Sequence, residues 1–152
     1  IRIHVGPAVI EGVIRAAVPH VVELDAGLFR ERVVLDDPHA VRLVAGGLDL
    51  EMTATGSPVP FSAEVAPHVR LLPVAAGGWQ VAVDSLPVTV GRLGTYDLAS
   101  FIDPVPIETV VSSLLALPGG ELSVELTVTA VEITSAGIEI RLRPAFTPVP
   151  RP

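Results

Sequence analysis

Two runs near the end of the chain alternate between apolar and polar residues. Leu122, Val124, Leu126 and Val128 stand against Glu121, Ser123, Glu125, Thr127 and Thr129; Ile138, Ile140 and Leu142 stand against Glu139, Arg141 and Arg143. A period of two marks a strand with one buried and one wetted face. The two runs therefore predict a hairpin across "TSAG", with Gly137 supplying the positive φ of its turn. The same alternation appears in "LDLEMTAT", where Leu48, Leu50, Met52 and Ala54 share one side. It recurs in "FSAEVAPHVRL" with Phe61, Ala63, Val65, Val69 and Leu71 inward. Pro67 must sit there at an edge or bulge, because it cannot donate to a ladder. "GGWQVAV" follows a glycine turn, and His20 to Val90 as a whole reads as a meander of short antiparallel strands.

Two segments switch to helical spacing. "GPAVIEGVIRAAVPH" opens with Pro7 at a first helical position and places Val9, Ile10, Val13, Ile14 and Ala17 on one side. Glu11 and Arg15 lie four apart on the other side, as an exposed ion pair, and Pro19 ends the element. In "DPVPIETVVSSLLALPGG" the stripe is Ile107, Val110, Val111, Leu114 and Leu115, which predicts a second amphipathic helix. Asp103 is its expected cap and Pro118-Gly119-Gly120 its end. Residues 1–146 are thus read as one α+β domain, and "TPVPRP", 147–152, as a Pro-rich tail or linker.

Composition narrows the partners. Hydrophobic residues make up 49% of the 152 and mean hydropathy is +0.58, so extensive burial or an apolar cavity is expected. The apolar content is aliphatic, with 25 valines against 4% aromatic residues. The longest charge-free run, Leu71 to Val83, is 13 residues and broken by Pro73, Gly77 and Gly78. A bilayer crossing takes about 20, so no transmembrane segment is expected. Net charge is −7 and lysine is absent, which excludes the basic surface that nucleic acid demands. Absence of both Lys and Asn points to a GC-rich, bacterial genome. Without cysteine there is neither a disulfide nor a thiolate site. The start at Ile1, without methionine, is expected of a processed or truncated end.

No catalytic constellation emerges. His4, His20, His39 and His68 are too dispersed to give two metal ligands from one element. Asp36, Asp37 and His39 fall in "DDPHA", a turn between strands. Gly46-Gly47 and Gly77-Gly78 lack the helix start and lysine of a phosphate loop and are hairpin turns. Asp97 and Asp103 flank an apolar segment as caps rather than as a carboxylate pair. The expectation is a protein that is not an enzyme and needs no cofactor or metal.

The order of elements is an amphipathic helix, a meander of alternating strands, a second striped helix and a final hairpin. With the stretch "VTAVEITSAGIEIRL", residues 128–142, it resembles the tubular lipid-binding (TULIP) superfamily, which includes BPI-like and SMP domains. That resemblance implies a long twisted antiparallel sheet wrapped around two amphipathic helices as a half-barrel, with acyl chains held in the seam. It also implies a bacterial periplasmic or cell-envelope setting with peripheral membrane contact. The lining it places between sheet and helices comprises Ile10, Val13, Ile14, Leu50, Met52, Val110, Val111, Leu114, Val124, Leu126 and Val128. Binding or transport of a lipid or fatty-acyl ligand is the first functional expectation. A structural or assembly module, such as a homodimer formed through exposed strands or an apolar face, is the alternative.

Overall fold

The computed structural model describes residues 1–150. Strand β1 (Arg2–Val5) leads into helix α1 (Pro7–Ala17). The meander follows as β2 (His20–Asp25), β3 (Arg30–Leu35), β4 (Ala40–Val44), β5 (Gly47–Ser57), β6 (Phe61–Val65), β7 (His68–Pro73) and β8 (Trp79–Val83). Short strands β9 (Pro87–Thr89) and β10 (Thr95–Asp97) flank a loop and precede a 3-10 turn, Leu98–Phe101. The chain closes with β11 (Val105–Pro106), β12 (Val110–Leu117), β13 (Gly120–Thr134) and β14 (Gly137–Val149).

Helix α1 starts with Pro7 in its first turn, as its missing N–H favours, and Arg15 holds Glu11 at 2.8 Å while its Nη1 donates to the Pro38 carbonyl at 2.8 Å. Its apolar stripe is only half used. Ile10 is buried and Ile14 half-buried, whereas Val9 and Val13 face solvent. The helix therefore lies on the body rather than inside a sheet.

The two-helix expectation is overturned. Strands occupy 61% of the chain and helices 10%, and α1 is the single α-helix among the described residues, so the architecture is a curled antiparallel sheet rather than a sheet wrapped around two helices. Residues 110–117, expected to be helical, form β12, paired with β13 from Val110↔Thr127 to Leu117↔Gly120. The cause is local. Thr109, Val110 and Val111 are β-branched, and Ser112-Ser113 interrupts the stripe. Pro118-Gly119, with Gly119 at φ +97°, makes a two-residue hairpin turn where a helix end was expected. In a strand Val111 and Leu115 share one face and Val110 and Leu114 the other, so the helical stripe does not exist. Asp103 has no helix to cap, and Pro106 sits in β11 at the edge of its sheet. The expected Pro-rich tail also begins later, because Thr147–Val149 continue β14 opposite Ser123–Glu121. Arg151 and Pro152 lie outside the described residues.

The larger sheet runs β11-β8-β7-β5-β3-β2, with β4 and β6 also pairing β5; the smaller, four-stranded sheet runs β1-β14-β13-β12, and β9 and β10 pair only with each other. A sealed core lies against β2, β3, the middle of β5, β6 and β9, and contains Val22, Leu24, Val33, Leu50, Met52, Leu86 and Leu98. Asp97 secures its floor, accepting from Leu86 N at 2.7 Å and Ala99 N at 3.1 Å, so this aspartate is a cap as expected. Glu31 is fully buried at the edge of the same core, its Oε2 accepting from Val59 N at 3.2 Å.

β13 and β14 run through the body and beyond it. A bulge between Val128 and Ala130 shifts the register, so that Leu122, Val124, Leu126 and Val128 before it and Val131 and Ile133 after it stay on one face. Gly137 starts β14 where β1 passes closest: a Cβ there would lie 2.5 Å from the Val5 carbonyl oxygen. Beyond the body, β12 and the adjoining halves of β13 and β14 form a three-stranded arm.

Candidate functional site

The two sheets do not close fully on each other. Between them lies a cavity of about 280 Å³. One wall is Leu48 from the start of β5, Val69 and Leu71 from β7, Val81 from β8 and Ile107 from the crossing to β12; the other is Val128, Val131 and Ile133 from β13 and Ile138 and Ile140 from β14. Alternation puts these side chains inward, and the bulge at Val128/Ala130 keeps β13 aliphatic over the whole wall. Glu108 marks the exposed rim. Arg70 contributes only backbone, since its side chain leaves the opposite face of β7 together with His68 and meets Asp84 at 3.4 Å. Among the described residues, the cavity wall thus carries no cationic group and no polar side chain deep inside.

The open side of the cavity continues onto the arm. Val111, Leu115 and Leu117 of β12, Leu122, Val124 and Leu126 of β13, and Pro144, Phe146 and Pro148 of β14 share the face of Val128. Leu115 and Phe146 remain 48% and 61% exposed, which makes this an uncovered apolar ribbon leading out of the cavity. The reverse face of the arm carries Glu121, Ser123, Glu125, Thr127 and Arg143.

Of the eleven residues expected to line a groove, the structure brings Val128 to the cavity and Val111, Val124 and Leu126 to the ribbon. Leu50 and Met52 belong to the sealed core, and Ile10 and Ile14 anchor α1. Val13 is 65% exposed on the far side of α1, and Val110 and Leu114 point from the reverse face of the arm. Cavity residues Leu48, Val69, Leu71, Ile138 and Ile140 were legible as inward-facing. Their place in a cavity wall was not, because alternation gives a face and not what covers it.

Two polar clusters lie elsewhere. On the outer side of the larger sheet His68 Nδ1 meets Asp49 Oδ1 at 2.5 Å and its Nε2 lies 4.0 Å from Asp84. Arg42 and Arg70 supply the remaining partners of the two aspartates, at 3.7 and 3.4 Å. Each carboxylate is matched by a cation, so the cluster ties β4, β5, β7 and β8 together and holds no nucleophile. In the second cluster Thr53 Oγ1 donates to Glu64 Oε1 at 2.8 Å and so must accept from His39 Nε2 at 2.9 Å. That polarity points the hydroxyl proton toward Glu64 and away from the imidazole, so His39 is not placed as a base for Thr53. Among the described residues no group of three or more His, Asp or Glu converges to hold a metal ion, and no helix is long and apolar enough to cross a membrane.

No family model, curated protein or solved structure matches the chain.

Proposed function

We propose that the protein is a non-enzymatic carrier of a lipid or similar hydrophobic ligand, whose hydrocarbon occupies the cavity between the two sheets. The observation that carries this reading is the aliphatic wall of that cavity and its continuation into the uncovered ribbon of the arm. An apolar space of this kind stays dry and takes apolar guests. At about 280 Å³ the cavity falls just below the range of small-molecule sites, which span roughly 300–1,000 Å³. It therefore holds a short apolar segment, and the remainder of a longer chain lies along Val128, Leu126 and Val124. With no cation in the wall, a charged head group stays outside, beyond Glu108.

Organic extraction and native mass spectrometry of the purified protein test the proposal, together with uptake of a fluorescent fatty acid. Bound lipid or saturable uptake is expected. Ile140→Trp and Val131→Trp, which fill the cavity, should abolish either signal while the fold persists. Recovery of no lipid together with no uptake would sink the carrier reading.

A further inference from the structure

The two edges of the arm differ in chemistry. At the β14 edge, Ile1 N donates to Leu142 O at 3.0 Å and Leu142 N donates to Ile1 O at 2.8 Å. By antiparallel alternation the next residues aiming backbone groups outward are Pro144, Phe146 and Pro148. Two of these three have no N–H, so the edge resists strand addition. At the other edge Val128 N donates to Thr109 O at 2.7 Å, which directs the odd-numbered residues of β12 toward β13. Val110, Ser112, Leu114 and Ala116 therefore aim their N–H and C=O groups outward, with no strand pairing them among the described residues. From Val110 to Leu117 this edge carries no charge and no proline, the usual protections of an exposed strand.

We infer that β12 is a self-association strand, pairing antiparallel with β12 of a second copy about a two-fold axis at Ser113. Residues 110–116, centred on Ser113, place apolar residues opposite apolar ones at both outer pairs and Ser113 opposite itself, with Ser112 and Leu114 the one mixed pair. In the Ser113-centred register Val110 faces Ala116 of the second copy, Val111 faces Leu115 and Ser112 faces Leu114. All four outward residues of each copy then enter hydrogen-bonded pairs. A chain of net charge −7 repels its own copy over most of its surface. An uncharged strand is where two copies approach without setting like charges opposite each other. The two-fold axis stands normal to the sheet, so both apolar ribbons fall on the same side and merge into one six-stranded surface. The interface is one strand wide, at the small end of specific contacts, so the dimer is reversible and concentration-dependent. This inference goes beyond the carrier reading and does not depend on what the cavity holds.

Sedimentation velocity over roughly a hundredfold range of concentration, a range that mass action requires, reads the association directly. The wild-type protein should move from monomer toward dimer. Ser112→Pro removes only an outward N–H, and Leu114→Lys places a charge on an already exposed side chain; both should remain monomeric with an unchanged β-sheet circular dichroism spectrum. Phe146→Ser, on the ribbon, should dimerise like wild type. Hydrogen exchange adds a readout specific to residue parity: amides of Val110, Ser112, Leu114 and Ala116 should slow with concentration, while those of Val111, Ser113 and Leu115 should not. A wild-type protein that stays monomeric throughout overturns the inference. So does a folded Leu114→Lys protein that dimerises as wild type does, or loss of the dimer in Phe146→Ser but not in Ser112→Pro.

Discussion

The same truncation at two leucines separates the strand reading of residues 110–117 from a helical one. Leu24 on β2 is 0% exposed within the sealed core, and Leu114 on β12 is 62% exposed on the polar face of the arm. Leu24→Ala loses burial and leaves a void among Val22, Val33 and Leu98, for which about 2 to 5 kcal/mol is expected. Leu114→Ala removes side chain that water already reaches, and the cost should stay within about 0.5 kcal/mol. For a domain of this size about 1 kcal/mol moves Tm by roughly 2–4 °C. The core variant should therefore melt roughly 4–20 °C lower and the arm variant within about 2 °C of wild type. Chemical denaturation by guanidinium, followed by far-ultraviolet circular dichroism, gives both midpoints on one scale. If Leu114→Ala lost as much as Leu24→Ala, residues 110–117 would have to pack into a closed core, and the arm as described would be refuted.

Three further outcomes are expected. Asp97→Ala strips the acceptor from the Leu86 and Ala99 amides beneath the core and should cost about 1–3 kcal/mol in the same denaturation experiment. Glu31→Ala leaves Val59 N–H unpartnered and opens a buried void but also removes the buried, unpartnered Oε1, so a net loss of about 1–2 kcal/mol is expected by thermal melting. Trp79, the single tryptophan, projects from the same face of β8 as Val81, so ligand entering the cavity should change its emission, and Ile140→Trp should remove the ligand-dependent change.

Legibility in the sequence followed the strength of local signals. Helix α1, the alternation of β5 and the β13–β14 hairpin with its Gly137 were all readable, because each combines a clear period with a breaker residue at its boundary. Residues 107–115 were not, because Val-Val-x-x-Leu-Leu satisfies a helical stripe and an edge strand with two apolar faces equally well. What decides between them is tertiary: Leu117↔Gly120 pairing across Pro118-Gly119 and the ladder to β13. Thr109, Val110 and Val111 in succession are the local feature that favours the strand. The inward set of β5 was likewise correct as a face, but it spans two environments. Leu48 lines the cavity while Leu50, Met52 and Ala54 close the core. Nothing in a period of two divides one strand's face between a sealed and an open space. Which residues line the cavity therefore depends on how the four-stranded sheet lies over the larger one.

The bulge in β13 has a consequence for how this gene tolerates length changes. Thr129 and Ala130 together oppose Arg141, so a one-codon deletion at Thr129 would restore a regular strand and leave Leu122, Val124 and Leu126 on the same side as Val131 and Ile133. The same deletion at Glu125 would invert the strand N-terminal to it, putting Leu122 and Val124 where Ser123 and Glu125 now stand. Over the 15 residues of β13, the bulge is the position where a codon can be lost at the cost of curvature alone. Everywhere else along that strand, a single-codon change would turn one side of the arm inside out.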